Sequence, residues 1–204
     1  MTEPVADATS DAPAERYLLR QKLTMMVNRY EIVRQDEFGK ELGLLCFAEQ
    51  KRMKLKEEIN FFTDESKSRR VFSFKARQRL DVHAEHDVFD EGGRSLGYFS
   101  KQFGASLLRS IWNLSAPGVD AVGRERSQLV AILRRVWNWL PYIGDIWVPF
   151  VFHFDFVDVA GRPVMTSERI WAVRDRYEVT VPDQRLDFRV AAAMAVALDA
   201  LQSR

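Results

Sequence analysis

The sequence predicts a mainly β protein, a closed antiparallel barrel threaded by its own C-terminal helix. Between Tyr17 and about Ser115, short segments alternate apolar and polar side chains, which is the period of a β-strand with one buried face. The segment from Leu186 to Leu201 contains a stretch that is apolar on every side and rich in alanine. Such a slim apolar helix suits the interior of a barrel, where inward side chains from many strands close around it.

Two early segments combine an apolar face with a basic face. The apolar faces consist of Met53, Leu55, Ile59, Phe61, Phe72, Phe74, Ala76 and Leu80. The basic faces consist of Arg52, Lys54, Lys56, Lys75, Arg77 and Arg79. The connections are too short for parallel crossovers, so the sheet is predicted to be antiparallel.

The turns contain an internal repeat, since DEFGKELG at 36–43 and DEGGRSLG at 90–97 share Asp, Glu, Gly, Leu and Gly in register. Aspartate favours the first position of a turn, and Gly39 and Gly93 accept a positive φ. Two related hairpins are therefore predicted. Asp87, Asp90 and Glu91 lack the spacing of an EF-hand, so turn chemistry explains them and no metal site is predicted.

An amphipathic helix is predicted from Arg124 to about Leu140, where aliphatic side chains recur at helical spacing opposite arginines and Pro141 follows. Its charged and aromatic side chains include Arg124, Arg134, Arg135, Trp137 and Trp139. This composition is typical of interfacial membrane helices, and it equally suits a helix that caps one barrel end. Strands resume at 148–157, near 167–173 and at 177–181.

The C-terminal helix, at about 186–201, is too short for a membrane span. Its sixteen residues rise roughly 24 Å, whereas the hydrocarbon core of a bilayer is about 30 Å thick. The segment also contains Asp187, Arg189 and Asp199. The helix is therefore predicted to be the protein core.

The chain has 204 residues, 47% of them hydrophobic, and a net charge of +1, which suits one domain and excludes a polycation that seeks nucleic acid. Residues 1–15 hold four acids and no base, so they are predicted to form a disordered acidic tail before a single domain at 16–204. Cys46 is the only cysteine, which fits a reducing compartment. We expect a cytoplasmic protein, with peripheral attachment if it binds membranes.

Residues 51–79 contain ten Lys and Arg against four Asp and Glu, a local net charge of +6. Near an anionic leaflet each exposed cation contributes about 1 kcal/mol, so this segment predicts a lipid-binding patch. A solvated barrel wall explains the same charges. Lipid contacts are thus predicted at Arg52, Lys54, Lys56, Lys75, Arg77, Arg79, Arg124, Arg134, Arg135, Trp137 and Trp139.

Four segments together resemble the LURP-one-related and phospholipid-scramblase-like proteins of the tubby C-terminal-like superfamily. They are RYLLRQKLTMMVNRYEI, VFDEGGRSLGYFSKQF, RDRYEVTV and LDFRVAAAMAVALDAL, which span 16–201. The resemblance implies a closed barrel of roughly twelve strands around a buried helix. It also implies membrane association through basic surface residues that bind lipid headgroups.

The sequence carries no catalytic or nucleotide-binding motif, so no enzyme activity and no cofactor are predicted. His83 and His86 project to opposite faces of a predicted strand, and so they do not share a metal. The first functional hypothesis is a non-enzymatic module that binds an anionic phospholipid surface. The second is a scaffold or regulatory protein that docks a protein partner on the barrel wall. The third hypothesis is a phospholipid scramblase. It ranks last because the sequence lacks the cysteine cluster and the acidic calcium segment of scramblases.

Overall fold

The computed structural model describes residues 13–23, 27–51, 58–77, 85–102, 111–126, 153–170 and 176–202. Within them the chain forms twelve strands and one helix. The strands are β1 (Glu15–Leu23), β2 (Val27–Gln35), β3 (Glu41–Lys51), β4 (Glu58–Phe62), β5 (Arg70–Ala76), β6 (Glu85–Asp90), β7 (Ser95–Gln102), β8 (Ile111–Ala116), β9 (Val119–Glu125), β10 (His153–Asp158), β11 (Pro163–Ile170) and β12 (Arg176–Val181). The helix is α1 (Phe188–Gln202).

The twelve strands close into a barrel in which every strand pairs antiparallel with its neighbours in the chain. β1 also pairs with β12, with Tyr17 opposite Val179, and this pairing removes both sheet edges. The predicted closed antiparallel barrel is confirmed. One end of the barrel, here called the turn end, carries the turns at 36–40, 63–69, 91–94 and 159–162 and the start of α1.

Four residues of the predicted apolar faces, Ile59, Phe61, Phe72 and Phe74, point into the barrel, whereas Met53, Leu55 and Leu80 lie outside the described residues. Phe61 of β4 and Phe72 of β5 stack with ring centroids 4.1 Å apart, and both are fully buried. Phe154 and Phe156 of β10 are buried in the same core. Aromatic rings of this size bury a large apolar area, so these strands supply much of the hydrophobic stabilisation.

α1 runs through the barrel interior, as its uniformly apolar surface predicts. From Val190 to Leu198 no side chain is more than 5% exposed. Asp187 caps the helix, because its Oδ1 accepts the N–H of Arg189 at 2.9 Å. At the turn end the ring of Phe188 packs on Phe72 with the centroids 6.2 Å apart. No helix among the described residues is both long and apolar enough to cross a membrane.

The repeated turn sequence forms two equivalent hairpins, as predicted, and the structure adds a third. Asp36, Asp90 and Asp158 each accept two backbone N–H groups through Oδ1, at 2.8–3.0 Å. The glycine three residues later has a φ of 80°, 82° and 77° in the three turns. These hairpins join β2 to β3, β6 to β7 and β10 to β11, so they recur at every fourth strand around the barrel.

Each of the first two hairpins has a bulge glycine after the turn, and these glycines differ in their surroundings. Gly43 and Gly97 have φ values of 156° and 151°. A Cβ at Gly97 would lie 2.4 Å from the carbonyl oxygen of Ser115, whereas a Cβ at Gly43 would meet nothing within 4 Å. The backbone of β8 therefore approaches β7 at a point where only glycine fits.

We expect Gly97→Ala to destabilise the barrel by at least about 2 kcal/mol more than Gly43→Ala, since both add backbone strain but only one adds a backbone clash. Urea unfolding of the two variants, followed by tryptophan fluorescence, measures the difference. Equal unfolding midpoints would show that β8 moves away at little cost.

The predicted helix start at Arg124 is wrong. Arg124 lies in β9, opposite Ile111 of β8 and Asp155 of β10. Because β8 and β10 pair with this segment on its two sides, its backbone N–H and C=O groups find hydrogen-bond partners in a strand. The rest of the predicted helix, 127–140, lies outside the described residues. Glu15, predicted as the last residue of the tail, opens β1.

Candidate functional site

Two of the predicted lipid contacts lie at the end of β5, Lys75 within the strand and Arg77 just after it. Both side chains are exposed, and they are two positions apart, whereas Phe72 and Phe74 point inward. The neighbours of Lys75 across the sheet are Glu58 of β4 and Asp87 of β6. Among the ion pairs of the described residues, none involves Lys75. Its ammonium group is therefore available to an anion.

Arg77 is engaged by two carboxylates. Its Nε and Nη2 donate to Asp87 at 3.0 and 2.6 Å, and its Nη1 donates to Glu85. The guanidinium also lies 5.2 Å from the ring centroid of Tyr98. The hydrogen bonds to Asp87, followed by the negative charges nearby, raise the pKa of Arg77 above its ordinary value. Its charge is largely offset, so it offers less to a lipid headgroup than its sequence position suggests.

Three more cations of the basic segment are paired with acids from the barrel wall. The pairs are Lys67–Glu49 at 2.9 Å, Arg69–Glu91 at 3.0 Å and Arg70–Glu58 at 4.0 Å. The hydrogen bond from Lys67 holds the pKa of Glu49 below its usual range. Exposed ion pairs of this kind add little to stability, but they reduce the net charge of the surface. The other predicted contacts in this region, Arg52, Lys54, Lys56 and Arg79, lie outside the described residues.

Arg124 does not belong to the same surface as Lys75. It is exposed on the outer face of β9, which is four strands around the barrel from β5. The structure thus separates two residues that the sequence analysis grouped by charge. The remaining members of that group, Arg134, Arg135, Trp137 and Trp139, lie outside the described residues.

Arg126, just after β9, forms ion pairs with acids of two further strands on the outer wall. Its Nη2 lies 2.6 Å from Asp155 of β10 and 2.7 Å from Glu168 of β11. The hydrogen bond with Asp155 is the main cause of the raised pKa of Arg126. The sequence analysis placed Arg126 on a helix, so it missed this link across three successive strands.

A polar cluster surrounds the end of α1 inside the barrel, and we call it the Asp199 cluster. Asp199 accepts hydrogen bonds from Gln21 at 2.7 Å, Tyr30 at 2.9 Å and Tyr177 at 2.6 Å. Burial, followed by the negative charge of Asp199, raises the pKa of Tyr30 well above its ordinary value. The sequence shows a lone aspartate near the end of an apolar helix, which indicates a buried polar contact. It does not show the three partners, because they come from β1, β2 and β12.

A search of family models finds a match over residues 45–199, described as LURP-one-related. This range covers more than half of the chain and runs from within β3 to Asp199. The chain belongs to the LURP-one-related family. The resemblance drawn from the four sequence segments is thereby confirmed. No protein in a search of the curated proteins matches the chain.

Cys46 and His86 of this LURP-one-related protein lie in its core. Cys46 lies inside the barrel, where burial raises the pKa of its thiol. His86 is buried and stacks on Phe99 with centroids 5.3 Å apart. Within the described part of the chain, no three side chains of the metal-binding types group together. His83 lies outside the described residues.

A cleft of about 910 Å³ opens at the turn end of this LURP-one-related barrel, beside the start of α1. Its guanidinium groups are already engaged. Arg34 lies 3.3 Å from Glu15, Arg189 lies 2.6 Å from Asp187, and Arg16 donates to the carbonyl of residue 37 at 3.2 Å. Two of these three guanidinium groups are therefore offset by carboxylates, whereas Arg16 contacts a neutral carbonyl oxygen.

Several large apolar side chains face solvent, which the sequence analysis did not predict. Phe38 is 86% exposed and Val159 is 97% exposed, and each lies in one of the repeated turns. Leu42 and Leu44 are exposed on β3, next to the turn that contains Phe38. Ile170 is exposed at the far end of β11, away from the turn end.

Proposed function

We propose that this LURP-one-related protein is a non-enzymatic module that binds phospholipid membrane surfaces through headgroup contacts. The observation that carries the proposal is the filled interior of the barrel. Because α1 occupies the centre and its side chains from Val190 to Leu198 are buried, the interior leaves little room for a ligand there. Recognition then depends on the outer surface.

The outer surface of β5 supports an electrostatic contribution to such binding. Lys75 is exposed and takes part in no ion pair of the described residues, while the neighbouring cations are paired with acids. An available cation near an anionic leaflet contributes about 1 kcal/mol, so this contribution is weak and reversible. Binding of this kind weakens as salt screens the charges.

A second candidate function, docking of a protein partner on the barrel wall, is favoured by one observation. Leu42 and Leu44 expose aliphatic side chains on the same strand. Exposed apolar side chains that lie close together on a barrel wall are typical of surfaces that a protein partner covers. Vesicle binding separates this candidate from the first.

Contact through the outer face of β5 predicts that Lys75→Gln weakens binding to anionic vesicles about fivefold at low salt, as the loss of about 1 kcal/mol of attraction requires. The matched control is Arg176→Gln, which removes the same charge from an exposed position of β12. Co-sedimentation with vesicles of phosphatidylcholine, with and without phosphatidylserine, gives the affinities. Equal losses for both variants would place the contact elsewhere, and no binding by the parent chain would favour a protein partner.

A further inference from the structure

Two apolar side chains project from equivalent turns at one end of the barrel. Phe38 lies in the turn between β2 and β3, and Val159 in the turn between β10 and β11. Both turns are at the turn end, and the hairpins are four strand spacings apart around the barrel. At about 4.8 Å per strand this separation is roughly 19 Å. Single exposed apolar residues are common, but these two lie in equivalent turns at the same end of the molecule, Phe38 two residues and Val159 one residue after the turn aspartate.

In each turn, three backbone N–H groups already donate to the turn aspartate, two to its carboxylate and one to its carbonyl oxygen. Asp36 Oδ1 accepts the N–H groups of the residues two and four positions later, at 2.9 and 2.8 Å. Asp158 Oδ1 does the same at 2.9 Å for both. An unpaired N–H costs several kcal/mol in an apolar phase. A turn whose N–H groups are satisfied internally therefore enters the headgroup region at a much lower cost.

Basic side chains stand beside the apolar ones. Lys40 follows Gly39 of the turn that contains Phe38, and Arg162 follows Gly161 of the turn that contains Val159, where its Nε donates to Asp158 at 2.8 Å. Long cationic side chains beside an inserted apolar group extend to the phosphate level of a bilayer. The third equivalent turn differs, because it carries Glu91, which pairs with Arg69, followed by Gly92. Only two of the three repeated turns therefore carry apolar anchors.

We infer that the turn end is the face that contacts the bilayer, with Phe38 and Val159 inserted among the lipid headgroups. This inference rests on the proposed membrane binding but assigns it to the turn end instead of the outer face of β5, because Lys75 lies near the opposite end of that strand. The two apolar side chains protrude and are well separated, which fits a deformable lipid surface better than a shaped pocket on a protein. If the turn end is the contact, Lys75→Gln should bind anionic vesicles like the parent.

Fluorophores attached to single cysteines test this orientation directly. Cys46 is the only natural cysteine and is buried, so labelling is directed to introduced thiols. We choose Phe38→Cys and Val159→Cys, with Ile170→Cys as the matched control because it is an exposed apolar position away from the turn end. Each carries the environment-sensitive fluorophore NBD. With vesicles of equimolar phosphatidylcholine and phosphatidylserine, we expect a blue shift and protection from aqueous quencher at 38 and 159 but not at 170.

A second variant measures how much the apolar side chains contribute. The double change Phe38→Ser and Val159→Ser should weaken vesicle partitioning about tenfold or more, because both side chains lose apolar burial. Ile170→Ser should bind like the parent. Undiminished binding by the double variant, or bound protein with no shift at 38 and 159, overturns the assigned face and leaves membrane binding intact. If the parent chain binds no vesicles at all, both the orientation and the proposed function are overturned.

Discussion

Ala193→Asp is expected to abolish cooperative folding of the barrel. Ala193 is fully buried at the middle of the apolar part of α1, between Val190 and Val196. An unpaired carboxylate in such surroundings costs several kcal/mol, which is a large part of the roughly 5–15 kcal/mol that stabilise a domain. The helix cannot rotate the new charge into water, since strands enclose it on every side.

Thermal unfolding followed by circular dichroism gives the result for Ala193→Asp. The matched control is Gln184→Asp, which places the same new charge at an exposed position just before α1. The control should remain soluble and unfold in one transition. A soluble Ala193→Asp protein with a cooperative transition near the parent's would mean that α1 does not form the core.

Asp199→Ala is expected to cost about 3 kcal/mol of unfolding free energy. The substitution removes the acceptor of Gln21, Tyr30 and Tyr177, whose donors then stay in or near the barrel interior with poorer partners. Each buried donor left unsatisfied costs about 1–3 kcal/mol. The Asp199 cluster thereby fastens the end of α1 to β1, β2 and β12.

Asp187→Ala is the matched control, because it removes the other helix-end carboxylate. Burial alone would raise the pKa of Asp187, but the hydrogen bonds and charge of Arg189 lower it below its usual range. As a helix cap it is worth about 1 kcal/mol. In urea denaturation, Asp199→Ala should have a clearly lower unfolding free energy than Asp187→Ala. The reverse order would show that the helix cap contributes more to stability than the Asp199 cluster.

Alternation along the strands and the composition of α1 were sufficient to predict the barrel. Ile59, Phe61, Phe72 and Phe74 point inward as predicted, because the period of two is a local property of an extended chain. The repeated turns were predictable for the same reason. Asp36 and Gly39 interact within five residues, so the signal lies in the local sequence.

The helix predicted at Arg124 shows where local patterns fail. Arginines and aliphatic residues at helical spacing fit a helix, but Gly123 packs against Phe156 and Arg124 faces outward in β9. Hydrogen bonds to β8 and β10 outweigh the intrinsic preference of so short a segment. The pairing with β8 and β10 could therefore not be predicted from the periodicity of the segment itself.

By itself, the sequence determined the strand faces, the repeated turns and the core helix, since each depends on residues a few positions apart. Only the tertiary structure decided which charges remain available. The excess of cations in residues 51–79 is offset by Glu49, Glu91, Asp87 and Glu85, which other strands bring alongside. The tertiary structure also brings Asp199 into contact with Tyr30 and Tyr177, and it places Phe38 and Val159 at the same end of the barrel. Such pairings depend on barrel closure and register, which join residues far apart in the chain.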